Sequence, residues 1–470
     1  MRSAHNVVCA AMLAACAAGV HAGSACDQWS PLSSGANASV LALALWDPDG
    51  DGPLARQLIA GGNFTSIGGV TANRLARWDG SQWHALDPGL ESGSILALTT
   101  WDPDGDGPLT EQLIVGGNFV TAGGITVNDI ARFDGTAFHA LGGGVTPLVI
   151  TTEVQALTTW DPDADGPAAP QLVIGGQFLG GVDAVPGTDC IARWDGSQWH
   201  ALGSGFASTV RALGSIDPDG AGPLLPRLVA AGHFSGYLRQ WDGSGWSPVG
   251  MDPDFLVETL TVHDPDGPGP AAPSIYIGGL FEAVGATAAH HVARWDGAAW
   301  SALGAGLEGR PIQLRFWDPD GAGPEPERLV AGMFFANNAQ LPAEPRIAVW
   351  DGAQWQPFGD GLQGTVNALE TWDPDGRSPA GVSLYAGGVF TASGAIVVNR
   401  IAEWAPCAPP PACPGDANGD NAVNGADLSV LLGSFNQQTQ PGTGADFNGD
   451  GVVNGADLSV LLSNFSTTCV

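Results

Sequence analysis

The chain has 470 residues, among them 69 glycines, 35 prolines and 17 tryptophans, and 44% of its residues are hydrophobic. This composition provides enough apolar surface for packed cores and excludes a chain that is disordered throughout. All 16 basic residues are arginines, and the 48 acidic residues bring the formal net charge to −32. Such acidity argues against nucleic-acid binding through phosphate contacts, and an anionic membrane would repel the chain, whereas cations would be attracted.

The first 22 residues are predicted to be a secretory signal peptide. Arg2 precedes an apolar run over 7–18, and cleavage after Ala22 fits the preference for small residues at the cleavage site. The alternative is a lipoprotein, because residues 13–16 (LAAC) would allow lipidation of Cys16. Either interpretation makes the mature protein extracellular or attached to the cell surface. No other apolar run approaches the length of a transmembrane helix, so no membrane span is expected.

Seven repeats of about 54 residues follow the signal peptide. Each repeat has an Asp-Pro-Asp tripeptide, and these begin at Asp47, Asp102, Asp161, Asp217, Asp264, Asp318 and Asp373. A Gly-Gly or Ala-Gly pair then precedes a phenylalanine, and an aromatic residue usually followed by Asp-Gly comes later, as at Trp78. Regular repetition of this length predicts a repeat architecture.

Four short β-strands are predicted in each repeat. In the first repeat they cover 40–46, 56–64, 74–78 and 82–86, separated by turns rich in glycine, proline and aspartate. No helical periodicity competes with this pattern. Seven four-stranded units indicate an all-β fold, a seven-bladed β-propeller over residues 26–405.

The two ends of this region are predicted to complete one blade together. The seventh repeat stops at Trp404 without a fourth strand, and residues 28–32 (QWSPL) match the fourth strand of the first repeat. The N-terminal strand would therefore close the ring, a "velcro" closure that protects the sheet edges. Cys26 and Cys407 each lie three residues from the tryptophan of their strand, so we expect a Cys26–Cys407 disulfide across the closure.

The glycine pair, the aromatic-Asp step and the later tryptophan of each repeat resemble those of Kelch-type propellers. Kelch repeats usually carry tyrosine where this chain has tryptophan, and their loops are not Asp-Pro-Asp-Gly. The resemblance implies a propeller that presents loops to a partner and does not imply a reaction.

A proline-rich linker over 406–413 precedes a twelve-residue pattern that recurs after 30 residues. Oxygen-bearing residues stand at the EF-hand ligand positions, with a backbone carbonyl at position 7, and a short apolar helix is expected after each loop. The candidate calcium ligands are Asp416, Asn418, Asp420, Ala422, Asn424 and Asp427 in the first loop, and Asp446, Asn448, Asp450, Val452, Asn454 and Asp457 in the second.

These tandem half EF-hands resemble a type I dockerin domain over residues 414–469. The resemblance implies a small all-α domain, two bound Ca²⁺ ions and docking to a cohesin domain. By motif position it assigns partner contacts to Gly425, Ala426, Gly455 and Ala456. Better-known dockerins often have hydroxyl residues there, which leaves open which cohesin this chain would bind.

Five cysteines remain after removal of the signal peptide. Besides Cys26 and Cys407, Cys413 and Cys469 flank the dockerin-like segment and are expected to form a second disulfide. Cys190 is then left as an unpaired, buried thiol in the third blade.

Acidic residues are predicted to gather on one face of the propeller, because the Asp-Pro-Asp loops and the Asp-Gly turns lie at the same end of an antiparallel blade. In the first three repeats the loops carry alternating carboxylates that resemble the calcium loops of integrin-type propellers, although the acid at the ninth position is absent. The alternative is a proline-fixed turn whose aspartates cap backbone amides. The candidate loop residues are Asp47, Asp49, Asp51, Asp102, Asp104, Asp106, Asp161, Asp163 and Asp165.

The repeated tryptophans and histidines allow two interpretations. Packing between blades is favoured over sugar stacking for the tryptophans, and a structural role is favoured for His84, His139 and His200, which recur at one strand position. A metal role for the His290-His291 pair is the less favoured alternative. The connection between the second and third strands of blade 4 is unusually short, which predicts a notch for a ligand on the face opposite the acidic loops.

Three classes of function are compatible with the sequence. The favoured one is a secreted, non-catalytic binding protein whose propeller recognises a glycan or a protein and is anchored through the dockerin. The alternatives are a dockerin-bearing enzyme that degrades polysaccharides and a calcium-stabilised structural protein of the cell surface. No catalytic residue set stands out from the repeats, and the three tyrosines do not form the pattern of a copper-radical oxidase.

Overall fold

The structure is a computed structural model. It describes residues 28–50, 55–105, 109–146, 151–164, 168–220, 223–265, 271–320, 326–334, 346–373, 382–406, 414–418, 422–437, 445–447 and 452–466. The predicted signal peptide and residues 407–413 of the predicted linker lie outside the described residues, as do Cys26, Cys407, Cys413 and Cys469.

The described strands are short, as the turn spacing predicts, and all lie before residue 405. In chain order they are β1 (Trp29–Pro31), β2 (Val40–Trp46), β3 (Gln57–Gly62), β4 (Ser66–Ile67), β5 (Val70–Thr71), β6 (Leu75–Trp78), β7 (Trp83–Ala85), β8 (Ile95–Trp101), β9 (Gln112–Gly117), β10 (Thr121–Ala122), β11 (Ile125–Thr126), β12 (Ile130–Phe133), β13 (Phe138–Ala140), β14 (Glu153–Trp160), β15 (Gln171–Gln177), β16 (Ile191–Trp194), β17 (Trp199–His200), β18 (Val210–Ile216), β19 (Arg227–Gly232), β20 (Leu238–Trp241), β21 (Trp246–Pro248), β22 (Val257–His263), β23 (Ser274–Gly279), β24 (Ala283–Val284), β25 (Thr287–Ala288), β26 (Val292–Trp295), β27 (Trp300–Ala302), β28 (Arg310–Trp317), β29 (Arg328–Phe334), β30 (Ile347–Trp350), β31 (Trp355–Pro357), β32 (Val366–Trp372), β33 (Ser383–Gly388), β34 (Ala392–Ser393), β35 (Ile396–Val397) and β36 (Ile401–Trp404).

Seven four-stranded antiparallel sheets form the blades of a β-propeller. Blades 1 to 6 are consecutive in sequence, and two-stranded hairpins occupy the connection between the second and third strands in blades 1, 2, 5 and 7. Blade 7 has the order β1-β36-β33-β32, and Trp29 is the register partner of Trp404. The predicted closure of the ring by the N-terminal strand is therefore confirmed.

A β-bulge near the start of the innermost strand recurs in all seven blades, as between Val40 and Ala42. The Gly-Gly pair of the second strand fits against it. A Cβ on Gly61 would come within 2.5 Å of Ile95 in the next blade, and one on Gly62 within 2.1 Å of the carbonyl oxygen of Ser39. The repeated glycines are therefore required by close packing within and between blades.

The hydrophobic core of the propeller consists of layers between adjacent blades. One layer combines Trp46 and Ile59 of blade 1 with Leu113 and Phe119 of blade 2. The layer between blades 7 and 1, which includes Val40 and Tyr385, closes the ring.

A central cavity of about 650 Å³ is enclosed by the innermost strands. Every blade contributes a leucine three residues after the start of the bulge, and these leucines are Leu43, Leu98, Leu157, Leu213, Leu260, Leu314 and Leu369. Other side chains on the innermost strands therefore also lie around this common channel.

Two short helices, α1 (Gly425–Gly433) and α2 (Gly455–Ser463), follow the propeller in the chain. Asn424 and Asn454 cap their N-termini in two equivalent capping boxes. The two halves also pair reciprocally, because the amide of Asn436 donates to the carbonyl of Val453 at 2.7 Å and that of Ser466 donates to Val423 at 2.7 Å. The predicted all-α C-terminal module is thus a pair of similar halves around one small core.

Candidate functional site

The two predicted calcium loops lead into the two helices. The structure describes Asp416, Asn418, Ala422, Asn424 and Asp427 of the first loop and Asp446, Val452, Asn454 and Asp457 of the second. Asp420, Asn448 and Asp450 lie outside the described residues.

The last ligand position of the first loop brings the two ends of that loop together. Asp427 is fully buried, and its Oδ1 accepts from the amides of Ala417 at 2.9 Å and Asn418 at 3.2 Å. Its Oδ2 accepts from the amide of Asn424 at 2.8 Å. Asp457 is equally buried and accepts in the same way from Asn454. The two loops, which repeat in sequence, therefore also share the same hydrogen bond at their last ligand position.

The donor set fits a divalent cation. Asp427, Asp446 and Asp457 are buried carboxylates, yet residues 414–470 contain no arginine, lysine or histidine that could balance them. Burying negative charge is costly unless a counter-charge compensates it. Calcium prefers oxygen ligands from carboxylates, amides and backbone carbonyls, and these are the groups that the loops offer.

The predicted partner positions lie in the first turns of the two helices. Gly425, Ala426, Gly455 and Ala456 are exposed. Further along the helices, Leu432 and Leu462 are also exposed, by 58% and 56%. Each half therefore presents small residues and an apolar side chain on its surface.

Residues 414–465 match the family model of the dockerin type I domain. This segment is a dockerin type I domain. Dockerin domains bind calcium and dock to cohesin domains in extracellular assemblies. The resemblance inferred from the loop pattern is therefore confirmed, and the dockerin follows a seven-bladed propeller in the same chain.

The whole chain was also compared with curated proteins and solved structures. No curated protein matches it. It is similar to BBS1N in its crystal structure with ARL6DN, soaked with lead, at 14% identity and a TM-score of 0.46, over 82% of this chain and 96% of that one. It is also similar to Saccharomyces cerevisiae Sqt1 (12% identity, TM-score 0.40, 77% and 82% of the two chains) and to the GH74 enzyme of Niastella koreensis (12%, 0.41, 76% and 52%).

The Asp-Pro-Asp loops preceding the dockerin show the hydrogen bonds of capped turns. Oδ1 of Asp47 accepts from the amide of Asp49 at 3.2 Å, and Asp102 and Asp161 accept equivalently at 3.1 Å. The second aspartate of the tripeptide in blade 2 also accepts a hydrogen bond, since Oδ2 of Asp104 lies 3.2 Å from the amide nitrogen of Leu109. Asp51, Asp106 and Asp165 lie outside the described residues. The bonds support the turn interpretation, and calcium binding here stays a prediction.

The tryptophans join neighbouring blades. Nε1 of Trp46 in blade 1 donates to the carbonyl of Glu111 in blade 2 at 3.0 Å, and Nε1 of Trp199 in blade 3 donates back to Leu141 at 2.8 Å. Trp46 belongs to a set that the sequence reasoning did not use, the residue directly before Asp-Pro-Asp. The favoured interpretation, packing between blades, accounts for these contacts.

Three repeated histidines pair with the aspartates of the Asp-Gly turns. Nε2 of His84 lies 2.6 Å from Oδ2 of Asp79, and His139 and His200 form equivalent pairs. Burial alone would raise the pKa of Asp79, but hydrogen bonds from His84 and the turn amides lower it well below its ordinary value. These pairs stabilise an outer turn in each of three blades.

The other special residues of the propeller also have local partners. His290 and His291 both contact Glu282, through an Nδ1–Oε2 distance of 2.8 Å and an Nε2–Oε1 distance of 3.5 Å. Cys190 is a free, buried thiol, as expected. Across the described part of the chain, no group of three His, Cys, Asp or Glu side chains is arranged to hold a metal, and no helix is long and apolar enough to cross a membrane.

A polar cluster at one end of the channel was missed by sequence reasoning. Glu258 has a fully buried side chain, and it contacts Arg211 (Nε–Oε2, 2.9 Å), His233 (Nε2–Oε1, 2.9 Å) and Arg310. Burial raises its pKa, but the hydrogen bond from His233 and the charges of the two arginines outweigh that effect and lower the pKa to about 2. Arg211 also donates to Gln155 at 2.8 Å, so the cluster extends over blades 3 to 6.

The available signal for this cluster was a departure from the repeat. The residue directly after the start of the bulge is Leu41 in blade 1 and Leu96 in blade 2, but Arg211 in blade 4 and Glu258 in blade 5. Comparing the repeats position by position would have marked these two residues as exceptions.

Proposed function

We propose that this chain is a secreted, non-catalytic binding protein whose propeller is displayed through its dockerin domain. The duplicated dockerin loops at 414–465 are the observation that carries this proposal. The signal peptide over 1–22, cleaved after Ala22, would bring the protein to the extracellular space or the cell surface. Mass analysis of the secreted protein tests the cleavage site.

The proposal includes two calcium ions, one in each loop, with the twelve loop residues named above as ligands. The burial of Asp427 and Asp457 and the absence of basic residues from 414–470 support it. When bound, calcium would draw the ligands of each loop together and fix the helix that follows. Isothermal titration of the metal-free chain should give a stoichiometry of two, reduced to one in Asp427→Asn.

Docking to a cohesin partner is proposed to use the exposed first turns of α1 and α2, at Gly425, Ala426, Gly455 and Ala456. Because the two halves share the same geometry, either helix offers an equivalent surface. Cohesin capture of the full chain should be strong in calcium and lost in EDTA. Equal capture in both conditions would refute calcium-dependent docking, and Asp49→Asn serves as a control that leaves the dockerin unchanged.

Two disulfides complete the proposal. The register pair Trp29–Trp404 supports a Cys26–Cys407 bond, since each cysteine lies three residues beyond a paired tryptophan. The second bond, Cys413–Cys469, would join the ends of the dockerin. Peptide mapping under non-reducing conditions should recover both linked peptides, and Cys190 should be the remaining free thiol.

A further inference from the structure

Three arginine and three glutamate residues surround the central channel of the propeller. They are Arg56, Arg211, Arg315, Glu153, Glu258 and Glu370, of which Glu258 has a fully buried side chain. The other lining residues are mostly leucine and alanine, with threonine, glutamine and asparagine between them. At about 650 Å³ the cavity has the size of a small-molecule site.

The fold does not require these charges. Leucine occupies the Arg211 position in blades 1 and 2, so the ring packs there without a charged group. Replacing a buried ion pair with apolar residues is often neutral or even stabilising. The cluster around Glu258 is therefore better explained by a ligand than by stability.

The side chains of this cluster are held in fixed positions. Arg211 is fixed on one side by Glu258 and on the other by Gln155, whose Nε2 donates to Glu153 at 2.5 Å. Arg310 lies with its guanidinium 5.2 Å from the ring centre of Phe334, and its buried Nε has no hydrogen-bond acceptor among the described residues. Donors and acceptors are thus oriented before a ligand arrives.

The charge balance selects the class of ligand. An anion would meet three glutamates and a protein of net charge −32, and a cation would meet three guanidinium groups. A hydroxyl group is both a donor and an acceptor, so it can pair with arginine and glutamate at once. An uncharged, hydroxyl-rich molecule suits this lining best.

We propose that the channel binds an uncharged, hydroxyl-rich ligand, a short oligosaccharide, at the end formed by Glu153, Arg211 and Glu258. This inference rests on the proposed function, because it names the ligand class of the propeller as a binding module. Blade 4 contributes a connecting segment to this end of the channel. The connection between its second and third strands is short, because β19 ends at Gly232 and β20 begins at Leu238. His233 lies in this connection and contacts Glu258.

Calorimetric titration of the full chain in calcium with neutral tetrasaccharides of glucose, xylose and mannose tests the proposal. At least one should bind the wild-type protein, and Arg211→Leu should weaken that binding by about tenfold or more because a charged hydrogen-bond donor is lost. The variant leaves the buried Glu258 paired with His233 and Arg310, and its thermal unfolding curve checks that it remains folded. Glu153→Gln provides a second, milder change on the same wall.

Arg227→Gln is the matched control, because Arg227 lies on β19 of the same blade and outside the cavity lining. Unchanged binding in Arg211→Leu and Glu153→Gln would overturn the channel site, as would binding of tetragalacturonate alone or of no saccharide. Cohesin capture of each variant separates the two proposals. Docking without saccharide binding removes only the channel site, whereas saccharide binding without docking removes the proposed anchoring.

Discussion

Glu258 and Asp129 are both buried carboxylates, and their surroundings shift their pKa values in opposite directions. Two arginines and His233 lower the pKa of Glu258 to about 2 despite its burial. No basic side chain pairs with Asp129 among the described residues. Burial raises its pKa to about 6, and the hydrogen bond from Thr152 offsets this only in part. A charge in the core is therefore tolerated at one site and opposed at the other.

Asp129→Asn should stabilise the protein at neutral pH. Because the folded pKa of about 6 exceeds the ordinary value of 3.8, the folded state holds an extra proton between these values, and stability falls as the pH rises through this window. The gain should be small at pH 4 and reach about 3 kcal/mol at pH 7, because a difference of one pKa unit is worth about 1.4 kcal/mol. Urea unfolding at pH 4, 5.5 and 7 measures it.

Asp79→Asn is the control of opposite sign. Its carboxylate accepts from the amides of Ser81 and Gln82 and pairs with His84, so its loss should destabilise the protein at pH 7. If Asp129→Asn were no more stable than the wild-type protein at pH 7, the burial penalty assigned to Asp129 would be wrong.

The strand β1 has only three residues, yet it completes the seventh blade. Trp29 is 1% exposed, its ring lies 5.6 Å from those of Phe358 and Trp404, and its Nε1 donates to the carbonyl of Phe358 at 3.4 Å. The stability of the closure therefore depends on one aromatic side chain as well as on backbone pairing.

Trp29→Ala should destabilise the propeller by about 3–5 kcal/mol, the usual cost of removing a buried aromatic side chain. Chemical denaturation followed by tryptophan fluorescence measures this loss, and limited proteolysis should cut the variant faster. Pro31→Ala is the control on the same strand, because Pro31 is exposed. Similar stability of the two variants would show that ring closure does not depend on Trp29.

At the scale of the whole molecule, two kinds of loop carry many of the acidic residues behind the net charge of −32. The dockerin loops bury carboxylates without any basic residue in the segment, whereas the described Asp-Pro-Asp aspartates accept hydrogen bonds from their own turns. The first arrangement calls for a cation. In the second, backbone amides satisfy the first aspartate of the turn, whereas Oδ1 of the second aspartate, as in Asp104 and Asp163, is buried without a hydrogen bond among the described residues.

Chelation of calcium should therefore unfold the dockerin and leave the propeller folded. Scanning calorimetry of the full chain should show the smaller transition lost in EDTA and the larger one unchanged. The double variant Asp427→Asn/Asp457→Asn should reproduce this loss in the presence of calcium. A lowered propeller transition in EDTA would instead show that the Asp-Pro-Asp loops bind calcium.

Much of the fold could be predicted because its signals are local. Alternation over Val40–Trp46 and the turn residues after it specify a strand and its end, and seven copies of that pattern specify the blades. The calcium loops were also predictable, since twelve consecutive residues carry the ligand set. The recurrent bulge and the short hairpins, such as β4-β5, were not, because they follow from contacts between strands.

The sequence by itself determined the repeat number, the closing strand and the dockerin loops, because each depends on residues that are adjacent or periodic in the chain. Only the tertiary structure decided which residues meet at one end of the channel. These are Gln155, Arg211, Glu258 and Arg310, each separated from the next by about 50 residues in sequence. Their partnership depends on the order of the blades around the ring, and no local pattern encodes that proximity.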